Sequence, residues 1–181
     1  DQLAEAFFSL FYGSLRRSNW NPNDAFQTAW ETIRRQPERV TRLALFDTSA
    51  APDSPARARQ RRMGIAAIGQ GRFVGVTRSL LPRLVHARHV AGPLGADVQA
   101  MARRVGAGAY LRQPAAILGR ADSRPLLPTI KVPTLVVAGA DDAMTPPAES
   151  EAIAAAIPGA VLHRLDDCGH LPPMELPGAS T

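Results

Sequence analysis

The spacing of apolar side chains changes along the chain and predicts helices first and a sheet later. Apolar residues recur every three or four positions within residues 2–17, which predicts an amphipathic helix there. The polar segment 18–23 ends this helix, and a second helix is predicted from about residue 24 to residue 36, where Pro37 stops it. Two helices are therefore expected before the first strand.

Three short apolar runs predict the strands. They span residues 40–46, 134–138 and 160–165, and a helix is predicted between the last two runs, at residues 147–157. Residues 51–127 are rich in Ala and Arg and have a helical period, with proline and glycine breaks that indicate about four short helices. The order strand, helical segment, strand, helix, strand predicts the α/β class with a parallel sheet of about three strands.

A parallel sheet of three strands is small for its class. Parallel strands are normally buried on both faces, whereas the first predicted strand would have an uncovered edge. We therefore expect the chain to correspond to the second half of a larger domain. The uncovered edge and the apolar side of the first helix would offer a surface to another chain, including a second copy of this one.

Composition and charge exclude several classes of protein. The formal net charge is +5, but 20 of the 21 basic residues are arginines scattered along the chain, and no nucleic-acid-binding motif accompanies them. No apolar stretch approaches the ~20 residues that a membrane helix requires, and no signal peptide is recognisable. The single cysteine, Cys168, excludes an internal disulfide and a multi-cysteine zinc site. We expect a cytoplasmic protein with neither a nucleic acid nor a membrane as partner.

The candidate chemistry lies in two loops that follow predicted strands. Asp142 follows the second strand and His170 follows the third, and open α/β sheets bind their ligands at the carboxyl ends of strands. A carboxylate beside an imidazole fixes its tautomer and stabilises the imidazolium that forms when the ring takes up a proton. We therefore predict that an aspartate of the loop after the second strand, Asp141 or Asp142, pairs with His170.

The other candidate side chains have ordinary structural interpretations. Cys168 lies two residues before His170, but nothing in the sequence activates its thiol, so we predict that it packs in the interior. The remaining histidines, His86, His89 and His163, are predicted to have structural or surface roles.

Several motifs occur in a definite order between residues 24 and 177. They are Pro37-Glu38-Arg39-Val40 leading into Leu43-Ala44-Leu45, Val132-Pro133-Thr134-Leu135-Val136-Val137-Ala138-Gly139, Gly139-x-x-Asp142-x-x-Thr145-Pro146, Ala156-Ile157-Pro158-Gly159-Ala160 and Gly169-His170-Leu171-Pro172. In order and spacing, this set resembles the α/β-hydrolase family, specifically its esterase-like and lactonase-like members with a helical cap.

The resemblance implies a fold, an activity and roles for two residues. Residues 1–47 and 129–181 would form part of the hydrolase core, and residues 48–128 would form a mostly helical cap over the substrate pocket. Asp142 would be the acid and His170 the general base in the hydrolysis of a carboxylic ester or lactone through an acyl-enzyme. Asp141 and Asp47 are the alternative acids. The substrate would be a small molecule, and neither a cofactor nor a metal is implied.

The nucleophile departs from the family's pattern. The family carries its serine in a Gly-x-Ser-x-Gly turn between a strand and a helix, which should fall here at residues 21–25. Asn23 occupies the serine position and neither flanking glycine is present, and an amide is not a nucleophile for acyl transfer. Ser14, in Tyr12-Gly13-Ser14-Leu15, is a weak substitute. We therefore expect a truncated or impaired hydrolase, with a non-catalytic binding or self-assembly module as the alternative.

Overall fold

One parallel sheet organises the part of the chain that the computed structural model describes, which is Trp30, residues 32–70 and residues 75–180, without the side chains of residues 109 and 110. Its strands are β1 (Leu43–Phe46), β2 (Thr134–Gly139) and β3 (Val161–Leu165). All pairs are parallel, and the order is β1-β2-β3. The predicted α/β class with three parallel strands is confirmed.

The first strand begins three residues later than its apolar run predicted. Pro37–Arg39 forms a 3-10 turn, which the N–H of Val40 closes on the carbonyl of Pro37 at 3.1 Å. Pairing with the neighbouring strand starts only at Leu43, whose N–H donates to the carbonyl of Pro133 at 3.0 Å. Val40 therefore closes the turn, and residues 40–42 lead into the strand without belonging to it.

Six α-helices lie wholly within the described ranges, in addition to the helical residues 32–35 that precede β1. They are α1 (Pro55–Gly69), α2 (Leu81–Leu84), α3 (Ala87–Val90), α4 (Pro93–Leu118), α5 (Pro147–Ala156) and α6 (Pro172–Glu175). The first four lie between β1 and β2, in a segment that we call the helical insertion (residues 48–128). Among the residues that the structure describes, no helix combines the length and the apolar character needed to cross a bilayer.

The predicted short helices of the insertion differ in length from those observed. Helix α1 has 15 residues and α4 has 26, so the prediction of four short helices is wrong for these two. Pro93 occupies the first turn of α4, where the missing N–H of a proline costs nothing. Gly106 adopts a non-helical conformation (φ 76°, ψ 170°) and divides α4 into two segments without a loop. The helix predicted at residues 2–17 lies outside the described residues.

Two apolar clusters connect the sheet to its surroundings. The larger cluster packs β1, β2 and α5 together, and its buried members include Trp30, Leu45, Val136, Ile153 and Ile157. A second cluster joins Leu81, Val85 and Val98 of the insertion to Leu171 and Met174, which follow β3. The insertion is therefore packed against the loop that carries His170.

The main chain at the end of β2 passes very close to the main chain that follows β3. A Cβ atom on Gly139 would overlap the carbonyl oxygens of Gly169 and Cys168. A Cβ atom on Gly169 would lie 2.8 Å from backbone atoms of Val85 and His86. Both positions therefore require glycine for space.

Replacing Gly139 by alanine should destabilise the fold, because the added methyl group has no room. We expect a loss of about 1–3 kcal/mol in the free energy of unfolding, the usual cost of overpacking, measured by chemical denaturation. The control is Gly64→Ala within α1, where an added Cβ meets nothing within 4 Å; there, alanine should stabilise the helix by about 0.5–1 kcal/mol. Equal stability of the Gly139→Ala variant and the parent would contradict the steric argument.

Candidate active site

Two loops at the carboxyl ends of the strands are joined through their main chains. The N–H of Ala140 donates to the carbonyl of Leu165 at 2.9 Å, and the N–H of Asp141 donates to the carbonyl of Cys168 at 2.9 Å. Gly139 and Leu165 are register partners in the sheet, so these bonds continue the β2–β3 ladder beyond the strands. The loop after β2 and the loop after β3 are thus held side by side.

This arrangement brings Asp142 and His170 together. An Asp142 Oδ2 to His170 Nδ1 hydrogen bond of 2.8 Å joins the two side chains, and the Asp142 side chain is fully buried. The other carboxylate oxygen, Oδ1, accepts from the N–H groups of Met144 (2.7 Å) and Thr145 (2.9 Å). Because both carboxylate oxygens have partners, the carboxylate has one orientation, and Nε2 is the ring nitrogen that Asp142 leaves for other chemistry.

The environment of His170 favours its protonated form. Burial lowers the pKa of the imidazole, but the hydrogen bond to Asp142 and the negative charge of that carboxylate outweigh burial and raise the pKa above 6.5. Asp47 and Glu175 add smaller contributions in the same direction. An imidazole of this kind accepts a proton readily and is stabilised once it carries the charge.

A buried glutamate that the sequence did not single out holds the His170 loop. Glu175 accepts hydrogen bonds from the N–H of Gly169 (3.1 Å to both oxygens) and of Leu171 (3.1 Å), which flank His170 in the chain. It also accepts from the N–H of His86 in the insertion, at 2.7 Å. The N–H of His170 itself donates to the carbonyl of Leu84 at 3.0 Å. Glu175 thus fixes the loop on both sides of the histidine and ties it to the insertion.

Asp47, the alternative acid at the end of β1, lies in the same region but has a different partner. Its Oδ1 accepts from the N–H of Gly139 at 2.8 Å, and the residue is only 6% exposed. The carboxylate that contacts His170 Nδ1 is that of Asp142.

The exposed side chains near the site form loose ion pairs. Nε2 of His86 lies 3.9 Å from a carboxylate oxygen of Asp141 and 3.9 Å from one of Asp167. Nη1 of Arg88 lies 3.6 Å from the other oxygen of Asp167. The histidine and the two carboxylates offer three potential metal ligands in one place, but both carboxylates are largely exposed. Solvent therefore screens these groups, and they contribute little to the geometry of the site.

The remaining sequence candidates take no part in the Asp142–His170 contact. Cys168 is fully buried, and burial is the main reason why the pKa of its thiol rises to about 12, so it is not a thiolate at neutral pH. His163 lies on β3 with its side chain exposed, and His89 accepts a hydrogen bond from Nε of Arg88 at the surface. Asn23 and Ser14, the candidates at the nucleophile position, lie outside the described residues.

Replacing Asp142 by asparagine should lower the pKa of His170, because the charge beside Nδ1 is lost while the ring remains buried. An NMR titration of the histidine ring measures this, with Asp141→Asn, an exposed neighbour, as the control that leaves the titration unchanged. The raised pKa in the folded state also means that His170 stabilises the fold below pH about 6.5, and that this contribution is lost as the pH rises through the folded-state pKa. An unchanged His170 titration in Asp142→Asn would show that the carboxylate charge does not hold the proton on the imidazole.

Replacing Glu175 by glutamine should loosen the His170 loop, because an amide presents an NH₂ group to backbone N–H groups that need an acceptor. We expect a loss of about 1–3 kcal/mol in the free energy of unfolding and faster amide hydrogen exchange at Gly169, Leu171 and His86. The matched control is Glu151→Gln, an exposed glutamate on α5, for which neither quantity should change. Parent-like exchange at all three amides in Glu175→Gln would show that the Glu175 carboxylate does not hold the His170 loop.

The sequence of this chain is similar to those of known proteins. A sequence model of the family described as "alpha/beta hydrolase fold" matches residues 25–177. A pimeloyl-[acyl-carrier protein] methyl ester esterase from Aromatoleum aromaticum is 28% identical over 187 residues, covering 83% of this chain and 68% of the relative.

Solved structures show the same relationship. A thermophilic esterase from Thermogutta terrifontis is 32% identical with a TM-score of 0.76, and an enol-lactonase from Burkholderia xenovorans LB400 is 30% identical with a TM-score of 0.66. Each comparison covers 84% of this chain but only 57% of the solved one. The chain therefore spans less than three fifths of the length of these two structures. The family match, which covers most of the chain, confirms the resemblance seen in the motifs: the protein belongs to the α/β-hydrolase family.

Proposed function

We propose that this chain carries the acid and the general base of a hydrolase for carboxylic esters or lactones. Asp142 is the acid and His170 the base. The observation that carries the proposal is the 2.8 Å hydrogen bond between a fully buried carboxylate and a partly exposed imidazole. The names of similar proteins, which are esterases and an enol-lactonase, support small-molecule esters or lactones as the substrate class.

The proposed chemistry is acyl transfer in two steps. Nε2 of His170 takes the proton of a hydroxyl nucleophile as its oxygen attacks the carbonyl carbon of the substrate, and then gives that proton to the departing alcohol oxygen. In the second step, Nε2 takes a proton from a water molecule as the water oxygen attacks the carbonyl carbon of the acyl-enzyme. The bond to the nucleophile oxygen then breaks, Nε2 returns the proton to that oxygen, and the carboxylic acid is released. Throughout, Nδ1–H stays bonded to Asp142, whose charge stabilises the imidazolium.

The helical insertion, residues 48–128, acts as a cap in this proposal, and residues 1–47 and 129–181 form the partial core. Two contacts support a cap that is held in a fixed position relative to His170. The carbonyl of Leu84 accepts from the N–H of His170, and Glu175 joins the N–H of His86 to the same loop. The apolar cluster of Leu81 and Val85 with Leu171 fixes the connection further. A substrate between the insertion and the sheet would then lie beside Nε2.

The proposal includes impaired activity, because the position of the nucleophile holds Asn23. A base without a nucleophile loses most of the rate enhancement, since the members of a catalytic triad act as a unit. A non-catalytic binding or self-assembly module is the second candidate function. It is favoured by Leu135 and Val161, which are register partners on β2 and β3 and are 39% and 62% exposed, and by Leu162, 38% exposed.

A fluorophosphonate probe tests the proposal, with mass spectrometry to locate the adduct. The parent chain should not be labelled in a His170-dependent manner, because asparagine cannot attack the phosphorus. Asn23→Ser should gain an adduct at residue 23, and the second change His170→Ala should remove it. The control His163→Ala, an exposed histidine on β3, should leave the adduct in place.

Three outcomes would contradict parts of the proposal. A His170-dependent adduct on Ser14 or another serine of the parent chain would show an intact hydrolase. Labelling of Asn23→Ser that persists in His170→Ala would remove His170 from the role of base. A folded Asn23→Ser variant that is never labelled would favour the non-catalytic module.

A further inference from the structure

Asp47 has an unusual backbone and a well-defined partner at the end of β1. Its φ is +40°, in the left-handed region that few residues other than glycine occupy. Its N–H donates to the carbonyl of Val137 at 3.0 Å, and its Oδ1 accepts from the N–H of Gly139 at 2.8 Å. Strain of this kind persists where the surrounding structure holds it. The two bonds fix the carboxyl group of Asp47 beside the end of β2.

The second oxygen of this carboxyl group has no donor. Oδ2 of Asp47 is buried and has no hydrogen-bond partner among the described residues, and the residue as a whole is 6% exposed. An ionised carboxylate would leave a negatively charged oxygen unsatisfied in the interior, which proteins avoid. A neutral carboxyl group, in contrast, carries an O–H that can donate. The buried oxygen is therefore better explained by a carboxylic acid than by a carboxylate.

An acceptor for that O–H is close by. Gly139 links the two acidic residues: its N–H donates to Oδ1 of Asp47 at 2.8 Å, and its carbonyl accepts from the N–H of Asp142 at 3.2 Å. The oxygens of Asp142 accept from Met144, Thr145 and His170, and a carboxylate has about four acceptor sites. One site therefore remains for a donor from Asp47.

The electrostatics support a proton on Asp47. Burial, helped by the neighbouring charge of Asp142, raises the pKa of Asp47 to about 7, although the Gly139 N–H and His170 oppose the shift. Asp142 and His170 are the ionisable groups whose charges act on Asp47. The charge of an ionised Asp47 in turn raises the pKa of the buried Cys168 thiol. The neutral acid thus predominates below pH about 7.

We propose that Asp47 is a positioning residue that, as a neutral acid, donates its O–H to the Asp142 carboxylate and keeps the single negative charge of the pair on Asp142, facing His170. This role rests on the proposed function of Asp142 and His170, and it differs from that of an alternative acid, which would have to be ionised. At high pH, loss of this proton places two carboxylates together and removes the donor from Asp142.

The experiment is an NMR titration of side-chain carboxyl carbons in the parent chain, from pH about 5 to about 9, above the ordinary range of aspartate. We expect Cγ of Asp47 to titrate near pH 7. Asp47 titrating in the ordinary aspartate range would overturn the proposal, and so would the proton residing on Asp142. This measurement requires neither a variant nor turnover, so it is independent of whether the chain hydrolyses any ester.

Two substitutions at Asp47 then distinguish hydrogen-bond donation to Asp142 from a purely structural role. They introduce asparagine or glycine, and both of these residues tolerate a positive φ. Asp47→Asn retains an acceptor for Gly139 and an N–H donor for Asp142, so the ring titration of His170 should match the parent below pH about 7. Asp47→Gly removes the donor and should shift that titration. A His170 pKa that falls in Asp47→Asn would mean that Asp47 is anionic and overturns the proposal. Identical titrations in Asp47→Gly and the parent would also overturn it.

Discussion

The close approach of Gly139 to Gly169 is the constraint on which the rest of the site depends. Parallel strands diverge into separate connections once they end, yet here the main-chain hydrogen bonding continues past β2 and β3 into the loops. That continuation is possible because Gly139 carries no side chain, and the lack of one at Gly169 lets the main chain of Val85 and His86 approach from the other side. It brings the carboxylate of Asp142 to Nδ1 of His170 without a long or flexible reach. The main-chain contacts thus fix the relative positions of the two residues that carry the pair.

Three buried acidic residues surround one histidine, and each is accommodated by a different physical means. Asp142 is bonded to the imidazole and to two backbone N–H groups, and Glu175 is bonded to three backbone N–H groups. Asp47 has one such bond and the raised pKa. A buried charge is tolerated only when donors replace water. The site therefore concentrates negative potential around His170 while leaving little uncompensated charge.

The sequence predicted the sheet and the Asp142–His170 contact because both depend on local patterns. Short apolar runs locate strands, and residues directly after parallel strands meet at one edge. Glu175 escaped detection because a glutamate in a proline-rich segment is typical of an exposed loop, and its three partners come from residues as distant as His86. The length of α4 was not predicted for another reason. Gly106 breaks the helical conformation without ending the helix. Composition alone does not distinguish such a break from a loop.

The insertion contacts the His170 loop through main-chain atoms, namely the carbonyl of Leu84 and the N–H of His86. Every amino acid supplies a carbonyl, and every one except proline supplies an N–H. These hydrogen bonds therefore place no requirement on side-chain identity, and the apolar cluster around Leu81 and Val85 is the contact with the His170 loop that does. In the proposed hydrolase, mutation of the other side chains of the insertion would remodel the wall of the substrate pocket while the Asp142–His170 pair keeps its geometry, so that specificity and alignment would evolve separately.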